Sequence, residues 1–461
     1  MRDLLFAVIV LGLLPVCFLR PWVGFLVWTW LSMMSPNWLL WGFAANIRWS
    51  VFVGGATLAG LLLTRDRKPV PWNTQLVLMV VMLAYFTFTS FFAWAPDAAW
   101  DKWSLVSKVV AMAILATMVI YGRDRIRWLL TVIALSVGYY GIKGGIWVLL
   151  TGGVNSVEGP EGGFMSMGNG IGIGLLMVVP IMLALVREYP HKWQRWCFGL
   201  SAGLSTLSIV FTYSRGAMMG LAVLASFMFV RSKRKTLIAL ALVPIIFAGI
   251  VWAPDKVFRR AETIGTYEKD GSAMQRIHTW IVAWNVAVNN PVTGAGFDFE
   301  EIPNPDRWFS HGASDIYQYT KIVRAAHSIY FQVLGQHGFV ALGLYLFLIF
   351  STLRECGRLA KRAAGDPEFE WVGNYASAIR FSLIGYIVSG AFVSVAYFDL
   401  AWVYYSLTAI LARELPERTG ATQKLAMSGN VAREQTAPAA QVGQLSSRSV
   451  VRSERSRKAG V

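Results

Sequence analysis

Ala325-Ala326-His327-Ser328-Ile329-Tyr330 closes the one long polar interruption, residues 253 to 326, in an otherwise apolar chain of 461 residues. An apolar helical run begins directly after it. The interruption itself holds most of the groups able to do chemistry: four of the five histidines (His278, His311, His327, His337) lie in it or just beyond it, with Arg259, Arg260, Arg276, Arg307 and Arg324. The remainder of the chain decides which side of a membrane this stretch faces.

A hydrophobic fraction of 55%, only 15% charged residues and a mean hydropathy of +0.49 exclude a pair of soluble domains. Runs of about 20 apolar residues, long enough to span the hydrocarbon core as helices with every backbone group satisfied, recur along the sequence. The expected fold class is an all-α polytopic membrane protein of about 12 transmembrane helices, with one long loop containing amphipathic helix outside the cytoplasm. The first run, 3 to 19, has signal-peptide length but no small-residue cleavage site before Arg20-Pro21, and reads as retained. Cys17, Cys197 and Cys356 are odd in number with no CxxC pair, which supports neither a disulfide framework nor a zinc site. A formal charge of +16 would suit nucleic acid on one surface, but the basic residues fall in short clusters between spans and report topology.

Those clusters are Arg65-Asp66-Arg67-Lys68, Arg123 to Arg127, Arg187 to Arg195, Arg231 to Lys235 and Arg354 to Arg362, each expected in the cytoplasm. Between them the sequence predicts spans at 74 to 94 and 104 to 121, a hairpin about Asp97 and Asp101; at 128 to 150 and 168 to 186, flanking a Gly-rich outer segment; and at 196 to 213 and 216 to 230, meeting outside at Tyr213-Ser214-Arg215. Spans at 236 to 252, 328 to 352, 379 to 397 and 401 to 413 complete the bundle. The runs at 3 to 19, 22 to 43 and 49 to 64 leave the start open. If one is re-entrant the total is 12, the preferred count, with both ends in the cytoplasm; otherwise it is 13. The chain divides into N-terminal transmembrane helices (1–252), the long loop (253–326), C-terminal transmembrane helices (327–413) and a tail (414–461). The tail has eight basic and four acidic residues and little large apolar content, so it is expected to be disordered and cytoplasmic.

Within the loop, Ser272-Ala-Met-Gln275 reads as a capping box. The helix after it carries Met274, Ile277, Ile281, Trp284 and Val288 at helical spacing, ends at Asn289-Asn290-Pro291, and should lie on the bundle or the lipid surface. Gly294-Ala-Gly296-Phe297 gives a tight turn and is weak evidence for a phosphate loop, since it comes after a helix and not a strand. His327 has two readings: a general base acting on a hydroxyl, or an interfacial histidine hydrogen-bonded at a helix start. Arg215 and Arg276 either hold a phosphate or snorkel to lipid headgroups. Lys143, within a span, faces a cavity or snorkels upward. Asp97, Asp101 and Asp298-Phe-Glu300-Glu301 read as solvated loop charges, with no metal site. Outward-facing cations match an anionic substrate at the membrane surface.

In Ser214-Arg215-Gly216-Ala217, in Arg276, Trp280 and Asn290-Pro291 through Gly294-Ala-Gly-Phe297, and in Ala326-His327-Ser-Ile-Tyr330 leading to Leu334-Gly-Gln-His-Gly338, the chain resembles the bacterial O-antigen ligase and polymerase-like membrane proteins. Arg2-Asp-Leu-Leu and Trp28-Thr-Trp30 before Ser35-Pro36 also resemble the branch of O-glycosylation ligases associated with exosortase systems. The likeness covers roughly residues 1 to 410. It implies a GT-C-like, multi-span glycosyltransferase of the bacterial inner membrane with a periplasmic active face, no cofactor and no metal. Such an enzyme takes a glycan from an undecaprenyl diphosphate carrier to a hydroxyl of a glycan, lipid or protein acceptor. By position it makes His327 the base, has Arg215 and Arg276 bind the departing diphosphate, and places Lys143, Asn169 and Arg324 at substrate. Met165-Ser-Met-Gly168 departs from the family pattern, which has an acidic residue and a second asparagine before Asn169. A polysaccharide polymerase of the same fold and a transporter of lipid-linked glycan are the alternatives, the latter disfavoured because no internal repeat is found and the chemical groups crowd the outer face.

Overall fold

Apolar runs punctuated by proline, glycine and arginine fold as a succession of helices. The computed structural model describes residues 1–160, 165, 168–231, 271–298 and 325–416. Among these are thirteen α-helices and no strand: α1 (Arg2–Leu19), α2 (Pro21–Met34), α3 (Trp49–Leu63), α4 (Thr74–Ser90), α5 (Pro96–Val119), α6 (Gly122–Thr151), α7 (Gly168–Glu188), α8 (Lys192–Val210), α9 (Arg215–Arg231), α10 (Gly271–Asn289), α11 (Ile329–Ala363), α12 (Glu370–Gly390) and α13 (Asp399–Glu414). All lie in one compact unit, Met1–Leu415. By length and composition α1, α5, α6, α7 and α11 are able to cross a membrane, and α3, α4 and Arg215–Val230 of α9 are shorter apolar helices. The chain is a multi-pass membrane protein. The run at 236 to 252, Arg259, Arg260, Arg307, His311, Arg324 and the tail from residue 417 lie outside the described residues.

Several expected boundaries move. The run at 22 to 43 is not one helix: α2 stops at Met34, Ser35 takes a left-handed φ of 47° before Pro36, and only short 3-10 turns come next, because proline cannot continue an α-helix donor ladder. α5 starts at Pro96, so Asp97 and Asp101 sit inside a helix whose N-terminus favours acidic residues, and not in a loop. The run at 379 to 397 ends as helix at Gly390. α10 begins at Gly271, which puts Ser272 inside the first turn and not at the cap. No disulfide forms among the cysteines.

Basic residues of the clusters at 65–68, 123–127 and 187–195, together with Arg413, gather at one end of the bundle, where they satisfy helix C-termini. Arg67 donates to the Leu61 carbonyl (3.1 Å), Arg125 to Val119 (2.9 Å), Arg195 to Tyr189 (2.7 Å), and Arg413 to Thr117 and Ile120 (2.7 and 2.9 Å). Each supplies an orphan carbonyl with a charged donor, where the helix dipole also favours a cation. Acids complete the layer. Arg123 pairs with buried Glu188 at 3.0 Å, and Tyr121 and Arg125 hold the Asp66 carboxyl below the usual carboxylate range.

The opposite end carries the connections of interest. In the first third of α11, Gly338 has φ 77° and ψ −173°, which interrupts the helical ladder. The Phe339 N–H leaves the helix for the Pro291 carbonyl (2.9 Å), and the freed carbonyls of Gly335 and Gln336 accept the N–H groups of Ala295 (3.0 Å) and Gly296 (2.8 Å). The Gly294-to-Phe297 turn is therefore a structural partner of the helix break. At Gly294, with φ 60°, a Cβ would lie 2.6 Å from Gln336 backbone, so no larger residue fits. Phe297 then packs on His337, which is buried against Phe86 with its Nδ1 2.6 Å from the Thr89 hydroxyl.

Candidate functional site

α10 runs along the first half of α11 and does not float free. Trp280 stacks on Phe331 at 5.0 Å and 8°, Trp284 meets Phe339 edge-on, and the helix ends at the Gly338 break. The stripe it buries is His278, Thr279, Val282, Ala283, Val286 and Ala287. The expected apolar stripe faces the other way: Trp284 and Val288 are about half exposed (49% and 54%). α10 thus has two apolar faces, and the residues small enough to let it approach α11 went inward, leaving the larger ones outside. Ile277, Trp280, Ile281, Trp284, Asn285 and Phe331 line an open groove of about 410 Å³ on that outer side.

This packing sets Arg276 at the level of His327, the residue before the α11 N-cap Ser328. His327 has a left-handed backbone, φ 45°, uncommon for a non-glycine residue and worth a reason. Both ends of the peptide before it are held. Its own N–H donates to the Ser394 hydroxyl at 2.7 Å, and the Ala326 carbonyl accepts the Trp280 indole N–H at 2.7 Å. Burial pulls the His327 imidazole below the ordinary histidine value of about 6.5, and the Arg276 charge lowers it further. The ring is accordingly a neutral base at pH 7.

Ser394 belongs to the α12–α13 connection, which is stitched to α11 by Ala396 N–H to Gln332 Oε1 (3.1 Å) and Tyr397 OH to Gln336 Oε1 (2.6 Å). The same connection touches α9: a Cβ at Gly216 would lie 2.9 Å from Phe392. Arg215 is thus the exposed first residue of α9, next to this contact. Ser214 caps that helix, its hydroxyl accepting the Ala217 N–H at 3.2 Å. A cation at a helix N-terminus opposes the helix dipole, which is relieved when an anion binds there. Asn169, second residue of α7, comes to the same corner, since Gly168 packs on the Thr212 carbonyl.

Residues 200–346, which include Arg215, Arg276 and His327, match the family model described as O-Antigen ligase. This segment is similar to the O-antigen ligases. Residues 1–189 match a family of unknown function, DUF5935, and no curated protein matches the chain.

Around the O-antigen ligase-like domain, the remaining candidates divide. Lys143 of α6 is exposed, on a face shared with Tyr139, Ile146, Trp147 and Leu150. The glycines beside it turn inward because they let α8 approach: a Cβ at Gly145 would lie 2.6 Å from the Leu204 carbonyl oxygen. Lys143 therefore points out of the bundle, as a snorkelling residue does. Arg324 lies outside the described residues. Of the other described histidines, His278 and His337 are buried and His191 is exposed, which leaves His327, among the described residues, as the half-buried one beside an arginine. Ser394 and Phe392 had no sequence signal; they lie beyond the matched segment and reach His327 and Gly216 only through the fold. Trp280 was visible as a motif residue, but its hydrogen bond was not.

Proposed function

We propose that the protein is a GT-C-like glycosyltransferase of the bacterial inner membrane. It moves a glycan from an undecaprenyl-diphosphate carrier to an acceptor hydroxyl on the periplasmic face, without a metal. The observation that carries the reading is His327, held as a neutral base beside Arg276 at the end of the bundle opposite the basic clusters. The acceptor oxygen bonds to the anomeric carbon as the bond to the diphosphate breaks, and the acceptor proton passes to His327. Diphosphate is already a good leaving group, so orientation and preorganised cations supply most of the remaining help. Arg215 and Arg276 neutralise the departing diphosphate, and Asn169 and Arg324 bind substrate around them, whereas Lys143, which points out of the bundle, takes the snorkelling reading. The acceptor is a glycan, lipid or protein, and the exosortase-associated O-glycosylation ligases are the branch whose motifs it shares.

The pH dependence arises from the same pair. Transfer requires neutral His327, so the acid limb of kcat/KM is expected below about 6.5. Arg276→Gln removes one of the two causes of the depression, so the limb should move to higher pH while staying below the ordinary value, since burial is the larger cause. A limb that stays put or moves down in this variant would rule out the electrostatic link.

The topology belongs to this proposal too. The Asp3 carboxylate accepts the N–H groups of Gly42 (2.9 Å) and Ala44 (3.3 Å), so the start of α1 and the α2–α3 connection share one end. That arrangement supports a reading of α1, α2 and α3 as three traverses. With the run at 236 to 252 the count becomes 13, with the N-terminus periplasmic, in preference to 12. Cysteines placed at Arg2, Asn46 and Arg65 in a cysteine-free background test this with an impermeant maleimide. Labelling of the first two from outside and the third only after lysis is the expected pattern; labelling of position 2 with position 65 sinks it.

Purified protein in detergent with undecaprenyl-diphosphate-linked glycan and acceptor tests the activity, because product formed without a membrane gradient rules out pure transport. In cells, gene deletion that abolishes attachment but keeps chain growth identifies a ligase, whereas single repeat units identify a polymerase.

A further inference from the structure

We infer that Trp280 and Ser394 are positioning residues that together clamp the Ala326–His327 peptide and so fix the imidazole in its working orientation. The inference rests on the reading of His327 as the base, and it concerns two side chains that touch neither substrate nor proton. The geometry is specific. One peptide unit has its carbonyl oxygen bound by the Trp280 indole N–H and its N–H bound to the Ser394 hydroxyl, each at 2.7 Å. These partners come from two elements distant in sequence, α10 and the α12–α13 connection.

A reason for such a clamp is on the same residue. His327 holds a φ of 45°, a conformation that costs a non-glycine residue about 1–3 kcal/mol and persists only where the surroundings over-determine it. Ser328 makes no side-chain cap bond, so the helix start does not enforce the conformation. Ala326 is fully buried, and its peptide would otherwise leave polar groups unsatisfied.

The clamp also couples the site's parts. Trp280 lies one helical turn after Arg276 on α10 and is itself braced by its stack on Phe331, one turn after His327. Ser394 lies two residues after Phe392, which packs on Gly216 beside Arg215. The two hydrogen bonds thus tie the base to the helix carrying one arginine and to the connection abutting the other. A displacement of about 1 Å in a catalytic group is enough to cost on the order of 100-fold in rate.

Trp280→Phe, which keeps a ring on Phe331 but removes the N–H, Ser394→Ala and Ser394→Thr test the clamp. Two readouts are needed: carbethoxylation of His327 by diethylpyrocarbonate with mass spectrometry across pH, which requires no substrate, and transfer from undecaprenyl-diphosphate-linked glycan. In Trp280→Phe and Ser394→Ala, His327 is expected to label faster, with its titration midpoint moved toward about 6.5. Transfer should fall by about 10- to 100-fold in kcat with little change in donor KM. Ser394→Thr should behave as the parent in both. Unchanged labelling in both weakened variants overturns the clamp, whatever happens to transfer. Altered labelling with undiminished transfer supports the clamp and removes His327 as the base. If Ser394→Ala fails to fold, Trp280→Phe against Ser394→Thr still decides the question.

Discussion

His327→Asn is expected to lower glycan transfer by about 10²- to 10⁴-fold, the range that a positioned general base supplies. Asparagine is the informative replacement because it tolerates left-handed backbone better than most residues, so the φ of 45° and the clamp around it are retained while the base is lost. The variant should purify as a monodisperse protein and bind the lipid-linked donor as the parent does, since Arg215 and Arg276 remain. Turnover within a few-fold of the parent would remove His327 from the chemistry and leave it as a helix-start histidine.

Gly338→Ala is expected to be the most damaging single change to the fold around the site, at about 3 kcal/mol or more. At φ 77° and ψ −173° the backbone occupies a region that essentially only glycine populates, and an added Cβ would lie 2.4 Å from the Pro291 carbonyl oxygen. Relaxing that contact breaks the exchange in which Phe339 bonds Pro291 while Gly335 and Gln336 receive the Gly294-to-Phe297 turn. Gly335, Gln336 and Gly338 are buried, so backbone groups left unsatisfied there cost the full desolvation penalty. Gly343→Ala, five residues along the same helix and facing open space, serves as the control and should leave the melting temperature in detergent unchanged. Equal melting temperatures for the two variants would show that the helix break does not depend on glycine.

Local chemistry explains which readings carried over from sequence to structure. Apolar runs name helices because a chain in hydrocarbon must satisfy its backbone within each segment, so α4, α6, α7, α8 and α9 lie where hydropathy puts them. Boundaries moved where a local signal outweighed hydropathy, as at Ser35-Pro36 and at Pro96. α10 was legible as a helix but not in orientation. It carries two apolar stripes, and the choice between them depends on how closely the small side chains Ala283 and Ala287 let it pack on neighbours that sequence does not specify.

By itself the sequence determined an all-helical membrane protein, basic clusters at alternate connections, and a segment at 200–346 similar to O-antigen ligases. Those are properties of composition, spacing and local motif, each readable within a few tens of residues. Tertiary structure alone decided that the glycine turn at 294–297 mends a helix break, that Lys143 faces outward, and that His327 is held in a left-handed conformation between Trp280 and Ser394. The physical reason is range. Hydrogen bonds that join residues 46 and 67 positions apart carry no periodic signature, and the depressed proton affinity of His327 comes from burial and a neighbouring charge that exist only once α10 and the α12–α13 connection have closed around it.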